Sequence, residues 1–360
     1  MSEFAPIWAL GLMSGTSMDG IDTAIIQTDG ERVTAFGPAS TTPYESGVRD
    51  AIRAALGKPR PDPFVTRAIT DAHANCIEAI FFEHPEYKDK IAIVGLHGHT
   101  VLHAPADGLT LQIGDGPRLA EQVQIDVISD FRSADVAAGG QGAPLAPLYH
   151  QALCGDIDGP VLILNIGGIS NVTWIGSVGA DPVAFDTGPG NAMMDDWISN
   201  TTDFPFDLDG QISAKGRVDG TTLDRLLDNP YFDGLPPKSF DRLDFSIEAV
   251  RHLSPENGAA TLARFTCKTI VSNLRHLPPT ASRILVTGGG RRNPTLMCGI
   301  AELTDLPVEP VEAVGWDGDA VEAQAFGFLA VRSLRGLPLS LPSTTGVSVP
   351  TTGGQLHHAV

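Results

Sequence analysis

Two glycine-rich segments, each preceded by an apolar run, hold the residues whose types point most directly to chemistry. The first, residues 14–20, reads Ser-Gly-Thr-Ser-Met-Asp-Gly and lies between apolar runs at residues 7–13 and 21–27. Backbone N–H groups beside glycines can approach a ligand closely, and hydroxyls add donors, so this turn could bind phosphate oxygens. Asp19 could then hold a magnesium ion directly or through water. A tight hairpin turn has the same composition and is the alternative.

The second segment, residues 186–191, reads Asp-Thr-Gly-Pro-Gly-Asn and follows the short apolar run at residues 183–185. Asn191 can cap a helix that begins after it. We therefore expect Asp186 at a strand end beside a helix N-terminus, where a carboxylate can act as a general base or hold a metal. The alternative is a structural aspartate in a glycine turn.

One carboxylate stands out by its position in a predicted helix over residues 319–334. The helical period places Glu322 on one face with Ala325, Phe326 and Leu329. A carboxylate in an apolar stripe costs free energy unless it is paired or lines a cavity. The alternative is a position at the edge of the stripe, close to solvent.

Three histidines follow the apolar run at residues 91–96, which predicts a short strand. We expect His97 and His99 just past its carboxyl end, where open α/β sheets bind ligands. Together with His103 they could suggest a metal site, but hydrogen bonding to a ligand hydroxyl or to the core is the favoured reading.

The overall charge restricts the class of partner. The chain has 360 residues and a formal net charge of −19, which argues against a protein that binds nucleic acid or anionic membranes. A local basic site is still compatible with this balance. Arg132 is the candidate: it could pair with Asp130 or Asp135, or it could contact an anion.

The remaining composition predicts a cytoplasmic, soluble protein. No window approaches the roughly 18 consecutive apolar residues of a membrane helix, and residues 1–4 do not resemble the start of a secretory leader. The four cysteines are far apart, which favours buried free thiols. Because no Gly-x-Ser-x-Gly segment occurs, acyl transfer is disfavoured.

One sequence pattern occurs twice among the elements that position these residues. An apolar run, a glycine turn and a second apolar run occur at residues 7–27 and again at residues 161–175, which predicts two β-hairpins. Helical spacing predicts a helix over residues 66–82, and residues 283–287 predict a strand. Asn293 followed by Pro294 predicts the start of another helix. The chain is therefore expected to be α/β, in two related lobes.

Six ordered segments resemble the motifs of the 1,6-anhydro-N-acetylmuramic acid kinase family. They are residues 11–22, 111–115, 139–145, 164–169, 186–191 and 288–294. The resemblance spans residues 11 to about 346. It implies an actin-like ATPase fold: two ribonuclease-H-like lobes with an ATP and sugar cleft between them. We place the N-terminal lobe at 1–137, which the tail at 340–360 could complete, and the C-terminal lobe at 138–339.

The same resemblance implies the site residues. For ATP they are Gly15, Thr16, Ser17, Met18, Asp19, Gly20, Ile21, Asp22, Gly288, Gly289 and Gly290; for catalysis Asp186 and Glu322; and for the sugar His97, Thr100, Arg132 and Asn171. Arg132 is the expected partner of the lactyl carboxylate of the sugar. Residues 97–100 read His-Gly-His-Thr where the family has His-Gly-Gln-Thr, so His99 is not assigned a role.

The implied activity is that of a phosphotransferase that uses ATP and Mg²⁺ and acts in bacterial cell-wall recycling. Because a 1,6-anhydro sugar has no free hydroxyl at O6, water must attack the anomeric carbon, with Asp186 taking its proton, before O6 can accept the γ-phosphoryl group. The product would be N-acetylmuramic acid 6-phosphate. The alternatives are a kinase of the same fold for another sugar and a nucleotide-gated binding protein. The expected partners are the sugar and ATP, with no nucleic acid or membrane, and a homodimer is left open.

Overall fold

The computed structural model describes residues 4–15, 18, 20–177 and 179–359. They form two compact units. Unit 1 comprises Met1–Ile157 and Asp319–Val360, and unit 2 comprises Asp158–Gly318. The division into lobes at 1–137 and 138–339 stays a prediction, and the compact units divide the chain at other positions.

Unit 1 is built on a seven-stranded sheet with the strand order β12-β6-β4-β1-β2-β3, and β5 pairs with β4. Its strands are β1 Ile7–Ser14, β2 Gly20–Thr28, β3 Val33–Pro43, β4 Ile91–Ala104, β5 Leu109–Ile113, β6 Val127–Ser129 and β12 Gln355–His357. Its helices are α1 Ser46–Ala55, α2 Pro63–Glu83, α3 Gly116–Val123, α4 Ser133–Ala137, α5 Pro147–Leu153, α10 Val321–Leu334 and α11 Pro342–Thr345.

Unit 2 has a five-stranded sheet with the strand order β11-β10-β7-β8-β9. Its strands are β7 Val161–Ile166, β8 Ile169–Ile175, β9 Val183–Pro189, β10 Ile284–Thr287 and β11 Val308–Pro310. Its helices are α6 Ala192–Thr201, α7 Gly220–Leu227, α8 Pro255–Asn273 and α9 Pro294–Ala301.

The two sheets share one topology. In unit 1, β1, β2 and β3 pair antiparallel, and β4 and then β6 are added parallel on the other side of β1. In unit 2, β7, β8 and β9 pair antiparallel, and β10 and then β11 are added parallel beside β7. This order in each unit is that of a ribonuclease-H-like sheet, so the expected α/β class and actin-like ATPase fold are confirmed.

Several local predictions are confirmed. Both hairpins form, as β1–β2 and β7–β8. The predicted helix over 66–82 is α2, and the predicted strand over 283–287 is β10. At the start of α9, the side chain of Asn293 accepts hydrogen bonds from the amides of the first turn, with Pro294 as the first helical residue.

The prediction for β4 is wrong at its end. The strand does not stop at Leu96 but continues to Ala104, so His97 and His99 lie within it. The extension exists because β5 returns antiparallel and pairs with residues 99–104, which replaces the backbone partners that β4 would otherwise lose. This partner strand lies outside the local window from which the strand end was predicted.

The core of unit 1 depends on a close backbone contact between β1 and α10. Gly11 lies in the middle of β1, and a Cβ built on it would overlap the carbonyl oxygen of Ala323 and crowd the amide of Gly327. Glycine therefore lets the helix backbone approach the sheet directly. Buried residues of α10, among them Phe326 and Leu329, then fill the space on either side.

Two further observations concern classes of site. In the described ranges, no helix is long and apolar enough to cross a membrane. Cys76, Cys154 and Cys267 are buried thiols, as predicted, whereas Cys298 is exposed. Its position on α9 leaves the thiol outside the core.

Prediction for the β1–α10 contact: Gly11→Ala should destabilise the protein by about 2–3 kcal/mol, because the added methyl group meets backbone atoms that cannot rotate away. Thermal unfolding monitored by circular dichroism measures the effect as a lower Tm. Gly47→Ala is the matched control. Gly47 lies in the exposed first turn of α1 with no atom within 4 Å of a built Cβ. Its replacement should be neutral or stabilising by about 0.5–1 kcal/mol. Equal Tm changes in the two variants would contradict the packing argument.

Candidate functional site

The phosphate-binding turn predicted from the sequence connects β1 to β2. Of its residues, Gly15, Met18, Gly20, Ile21 and Asp22 are described, whereas Thr16, Ser17 and Asp19 lie outside the described residues, and with Asp19 the predicted magnesium ligand. The amide of Met18 donates to the carbonyl of Gly15 at 3.1 Å. The Met18 side chain is buried in the core of unit 1. The described part of the turn is therefore held to the core of unit 1 by the Met18 side chain.

His97 and Arg132 form one hydrogen-bonded pair in unit 1. Arg132 donates to Nε2 of His97 from Nε at 3.2 Å and from Nη2 at 3.0 Å. A further Arg132 nitrogen, Nη1, donates to the carbonyl of Gly142 at 2.7 Å. The Nδ1 atom of His97 donates to the carbonyl of Gly98 at 2.8 Å. Both ring nitrogens of His97 therefore have partners within the protein, and one of these partners is the predicted anion-binding arginine.

The protonation state of His97 follows from its surroundings. Burial lowers the pKa of His97 well below its usual value, and the neighbouring Arg132 guanidinium lowers it further. The imidazole is therefore neutral near pH 7, and Nε2 can act as an acceptor. This is the state that the contact with Arg132 requires.

The other predicted contacts in unit 1 lie on separate elements. Thr100 is half-buried on β4, where its hydroxyl accepts from the side chain of Gln112 at 3.3 Å. Glu322 lies in the first turn of α10, half-buried, before the fully packed part of the helix. The start of α10 at Val321, rather than at Asp319, gives Glu322 this terminal position.

The segment 111–115 contains the end of β5 and the turn into α3. Asp115 caps this helix, since its side chain accepts from the amide of Arg118 at 3.0 Å. The segment lines a cavity of 1130 Å³ together with Arg67 and Arg118. Arg118 pairs with Asp71 at 2.8 Å, so part of the positive charge of this cavity is neutralised.

Unit 2 holds a row of polar side chains across three neighbouring strands. Asn165 on β7 is the register partner of Asn171 on β8, and Asn171 is the partner of Asp186 on β9. Paired residues of antiparallel strands point to the same face of the sheet. Asn171 therefore lies between Asn165 and the predicted catalytic aspartate, and strand pairing alone brings the three together.

The position of Asp186 corrects the prediction from the sequence. Asp186 does not lie at a strand end but inside β9, which continues to Pro189. Residues 188 and 189 keep their pairing with β8 because a register shift between Ser170 and Asn171 accommodates the glycine-rich segment. Residues before and after Asp186 in the sequence are therefore both paired with β8.

A loop over residues 236–240 fixes the Asp186 carboxylate. The amide of Phe240 donates to Oδ2 of Asp186 at 2.9 Å, and the amide of Asp186 donates to the carbonyl of Lys238 at 3.0 Å. Lys238 itself donates from Nζ to the carbonyl of Gly234 at 2.8 Å. Burial lowers the pKa of Lys238, and nearby Arg275 lowers it further. Sequence reasoning indicated a loop near residues 230–240 but not its contact with Asp186, because a backbone donor leaves no signature in the residue types.

The glycine segment 288–290 lies against the polar row. Thr287, at the end of β10, is the register partner of Asn165. Gly288 has φ of +75°, and a Cβ on it would overlap the side-chain oxygen of Asn165. Glycine is required here both by the left-handed backbone and by the close approach. The segment therefore follows a strand directly into a turn beside Asn165.

Asn191 occupies the predicted cap position of α6, but its side chain has another function. Its Nδ2 atom donates to the carbonyl of Ile166 at 3.0 Å instead of its oxygen capping the first turn. This bond ties the start of α6 to the end of β7.

Among the described residues, no group of three or more His, Cys, Asp or Glu side chains could hold a metal ion.

Comparisons with known proteins find similarity over nearly the whole chain. The profile of the family described as anhydro-N-acetylmuramic acid kinase matches residues 7–359. A protein of that name from Paramagnetospirillum magneticum is 51% identical, over 97% of this chain and 99% of its own length. Another of that name from Rhizorhabdus wittichii is 48% identical, over 97% of this chain and 98% of its own.

Among solved structures, component A of the (R)-2-hydroxyglutaryl-CoA dehydratase of Acidaminococcus fermentans superposes with a TM-score of 0.50. The sequences are 13% identical, and the match covers 91% of this chain and 99% of that one. At this identity the likeness concerns the fold alone.

Prediction for the buried histidines: the protein should lose stability as the pH falls from about 6.5 towards 4. Burial lowers the pKa of His73 and of His150 to about 4. Below the ordinary value of 6.5 the unfolded chain binds protons that the folded chain does not, so each such histidine contributes a slope of about 1.4 kcal/mol per pH unit. Denaturant unfolding at pH 7.5, 6 and 5 measures this slope. His73→Leu should reduce it by the share of one histidine, and an unchanged slope in that variant would contradict the assignment.

Proposed function

The chain belongs to the anhydro-N-acetylmuramic acid kinase family, and from this premise we propose that it opens and phosphorylates 1,6-anhydro-N-acetylmuramic acid with ATP. The product is N-acetylmuramic acid 6-phosphate, an intermediate of peptidoglycan recycling. The observation that carries the proposal is the similarity over nearly the whole chain to relatives of that name. The fixed Asp186 carboxylate supports it.

The substrate dictates the order of bonds. Because O6 is tied up in the anhydro bridge, a water oxygen bonds to the anomeric carbon while the bond from that carbon to O6 breaks. Asp186 takes the proton of the water as general base, and O6 bonds to the γ-phosphorus of ATP, from which ADP leaves. The sugar thus gains one water and one phosphoryl group.

The contacts of Asp186 suit it to the role of base. Its Oδ2 accepts from the amide of Phe240, and its own amide is bound to the carbonyl of Lys238, so the carboxylate has a defined direction before substrate binds. A general base must lie within hydrogen-bonding reach of the proton that it removes, and a fixed carboxylate loses little entropy on reaching that geometry. We assign Asn171, its neighbour across β8 and β9, to the sugar.

Arg132 is the proposed partner of the lactyl carboxylate. An arginine presents several donors in one plane, and the two contacts with His97 together with the contact to Gly142 fix that plane. We propose that His97 and Thr100 complete this part of the sugar site and that Glu322 is the second catalytic carboxylate. The role of His97 is then twofold, since it also orients the arginine.

ATP is assigned to the two glycine segments. We propose that residues 15–22 contact its phosphates and that Gly288, Gly289 and Gly290 lie beside its adenosine. Mg²⁺ would accompany ATP and neutralise phosphate charge, with Asp19 as its proposed ligand; a carboxylate is a donor that this ion prefers. A cytoplasmic location follows from the need for ATP, and a homodimer stays a prediction.

Prediction for the product: with ATP, Mg²⁺ and 1,6-anhydro-N-acetylmuramic acid, the purified protein should give a sugar heavier by one water and one phosphoryl group. In H₂¹⁸O, mass spectrometry should find one ¹⁸O in that product, at the anomeric hydroxyl, because the water oxygen bonds to that carbon. Phosphorylation of a sugar with a free O6 without ¹⁸O at the anomeric carbon would instead indicate a kinase for an ordinary sugar. ATP binding without any acceptor would indicate a nucleotide-gated binding protein.

Prediction for the base: Asp186→Asn should lower kcat by about 10²–10⁴, because the amide cannot take a proton. The asparagine oxygen can still accept from the amide of Phe240, so the fold and the KM for ATP should change little. Steady-state kinetics at saturating ATP measures the effect. Asp181→Asn, an exposed carboxylate in the same unit, is the matched control and should leave kcat unchanged. Near-normal turnover of Asp186→Asn would exclude Asp186 as the base.

A further inference from the structure

A buried hydrogen-bond chain lies at the carboxyl end of β1, where the connection to β2 begins. The hydroxyl of Tyr44 donates to Oγ of Ser14 at 2.8 Å, and Oγ of Ser14 lies 2.8 Å from Nδ1 of His99. The exposed fractions of the three residues are 7%, 1% and 0%. Polar groups at such depth cost free energy unless they are hydrogen-bonded to one another, so this chain is a built feature of unit 1.

The three residues connect the strands from which the turn emerges. Ser14 is the last residue of β1, immediately before the turn, and its register partner on β4 is His99. Tyr44 directly follows Pro43, which is the register partner of Gly20, the first residue of β2. The side chains therefore link Ser14 both to β4, through His99, and, through Tyr44, to the end of β3 that pairs with Gly20.

Oγ of Ser14 makes two hydrogen bonds within this chain. It accepts from the hydroxyl of Tyr44, and it shares the second bond with Nδ1 of His99, where the tautomer of His99 decides which of the two groups donates. In either tautomer, the Ser14 side chain, at the last residue of β1, is held from both sides.

The turn needs such support. Met18 has φ of +57°, a left-handed conformation that costs free energy for a residue with a side chain. Its side chain is 2% exposed, and its amide is bound to the carbonyl of Gly15. A strained residue persists only where the surrounding structure holds it, and the Tyr44–Ser14–His99 chain holds the strand ends on either side.

We propose that Tyr44 and His99 are positioning residues for ATP, acting through Ser14 on the turn over residues 15–22. This inference rests on the proposed function, because it takes that turn to bind the phosphates of ATP. Neither residue touches the nucleotide in this proposal. They hold the strand ends on either side of the turn, Ser14 on β1 and Gly20 on β2, so their loss weakens ATP binding rather than the chemical step.

The test measures the Kd of ATP by isothermal titration calorimetry, in the presence of Mg²⁺ and without sugar, and the KM for each substrate. Tyr44→Phe removes only the donor hydroxyl, and His99→Leu removes the imidazole that pairs with Ser14. Each should raise the Kd and the KM of ATP by about three- to tenfold, which is the range for one lost hydrogen bond, with little change in the KM of the sugar. In the double variant the effect should be less than the product of the two, because both residues act through Ser14.

Conservative and matched variants separate positioning from packing. His99→Asn can place an acceptor oxygen near the position of Nδ1 and should restore most of the ATP affinity that His99→Leu loses. Tyr87→Phe is the control for the tyrosine change: Tyr87 packs against Trp8, near the start of β1 and at the opposite end of that strand from Ser14, and its replacement should leave ATP binding unchanged.

The outcomes distinguish this inference from the proposed function. If the variants lower the Tm but bind ATP with the Kd of the unmodified protein, or if His99→Asn behaves like His99→Leu, the positioning role is overturned. If the unmodified protein binds ATP but does not convert the anhydro sugar, the proposed function fails. The Kd values of the variants still decide whether the chain positions the turn.

Discussion

The candidate site in unit 2 depends on strand register. Leu164, Val172 and Phe185 are partners across β7, β8 and β9, and all three are fully buried in the core of the unit. The neighbours of these residues, Asn165 on β7, Asn171 on β8 and Asp186 on β9, point to the other face of the sheet. They form the polar row described above. A slip of one residue would place the polar row in the core and the apolar row outside it. Burial of the three large side chains stabilises this register by about 1.5–3 kcal/mol for each side chain. The register in turn fixes the positions of the polar row.

The sequence predicts those features whose causes are local. Both hairpins, the helix α2 and the cap at Asn293 follow from apolar spacing, glycine turns and capping chemistry within a few residues. The end of β4 was wrongly predicted because its continuation depends on β5, a partner strand that no local window contains. The same holds for Asp186, which remains inside β9 through pairing with β8 rather than through any feature of its own segment.

The candidate site is likewise predicted from the sequence only in part. Glycine motifs indicate where the turns lie, and the resemblance to a family supplies the residue roles, but neither reveals the contacts that fix them. His97 and Arg132 are 35 residues apart in sequence. They meet because β4 and β6 pair in parallel at Val94 and Val127, which brings His97, farther along β4, close to Arg132, which follows the end of β6. The amide of Phe240 is equally invisible in the sequence, since any residue except proline supplies one.

The charge balance shows why the neutral state of His97 matters. An acidic protein of net charge −19 that binds anionic ligands must supply positive charge locally, and Arg132 is such a charge. A protonated His97 would turn Nε2 from an acceptor into a donor and would repel the guanidinium. Burial prevents this, because the imidazole is 4% exposed and its pKa lies well below the usual value. Desolvation of His97 thus sets the orientation of the Arg132 guanidinium. This orientation is kept as long as the protein is folded and His97 is neutral.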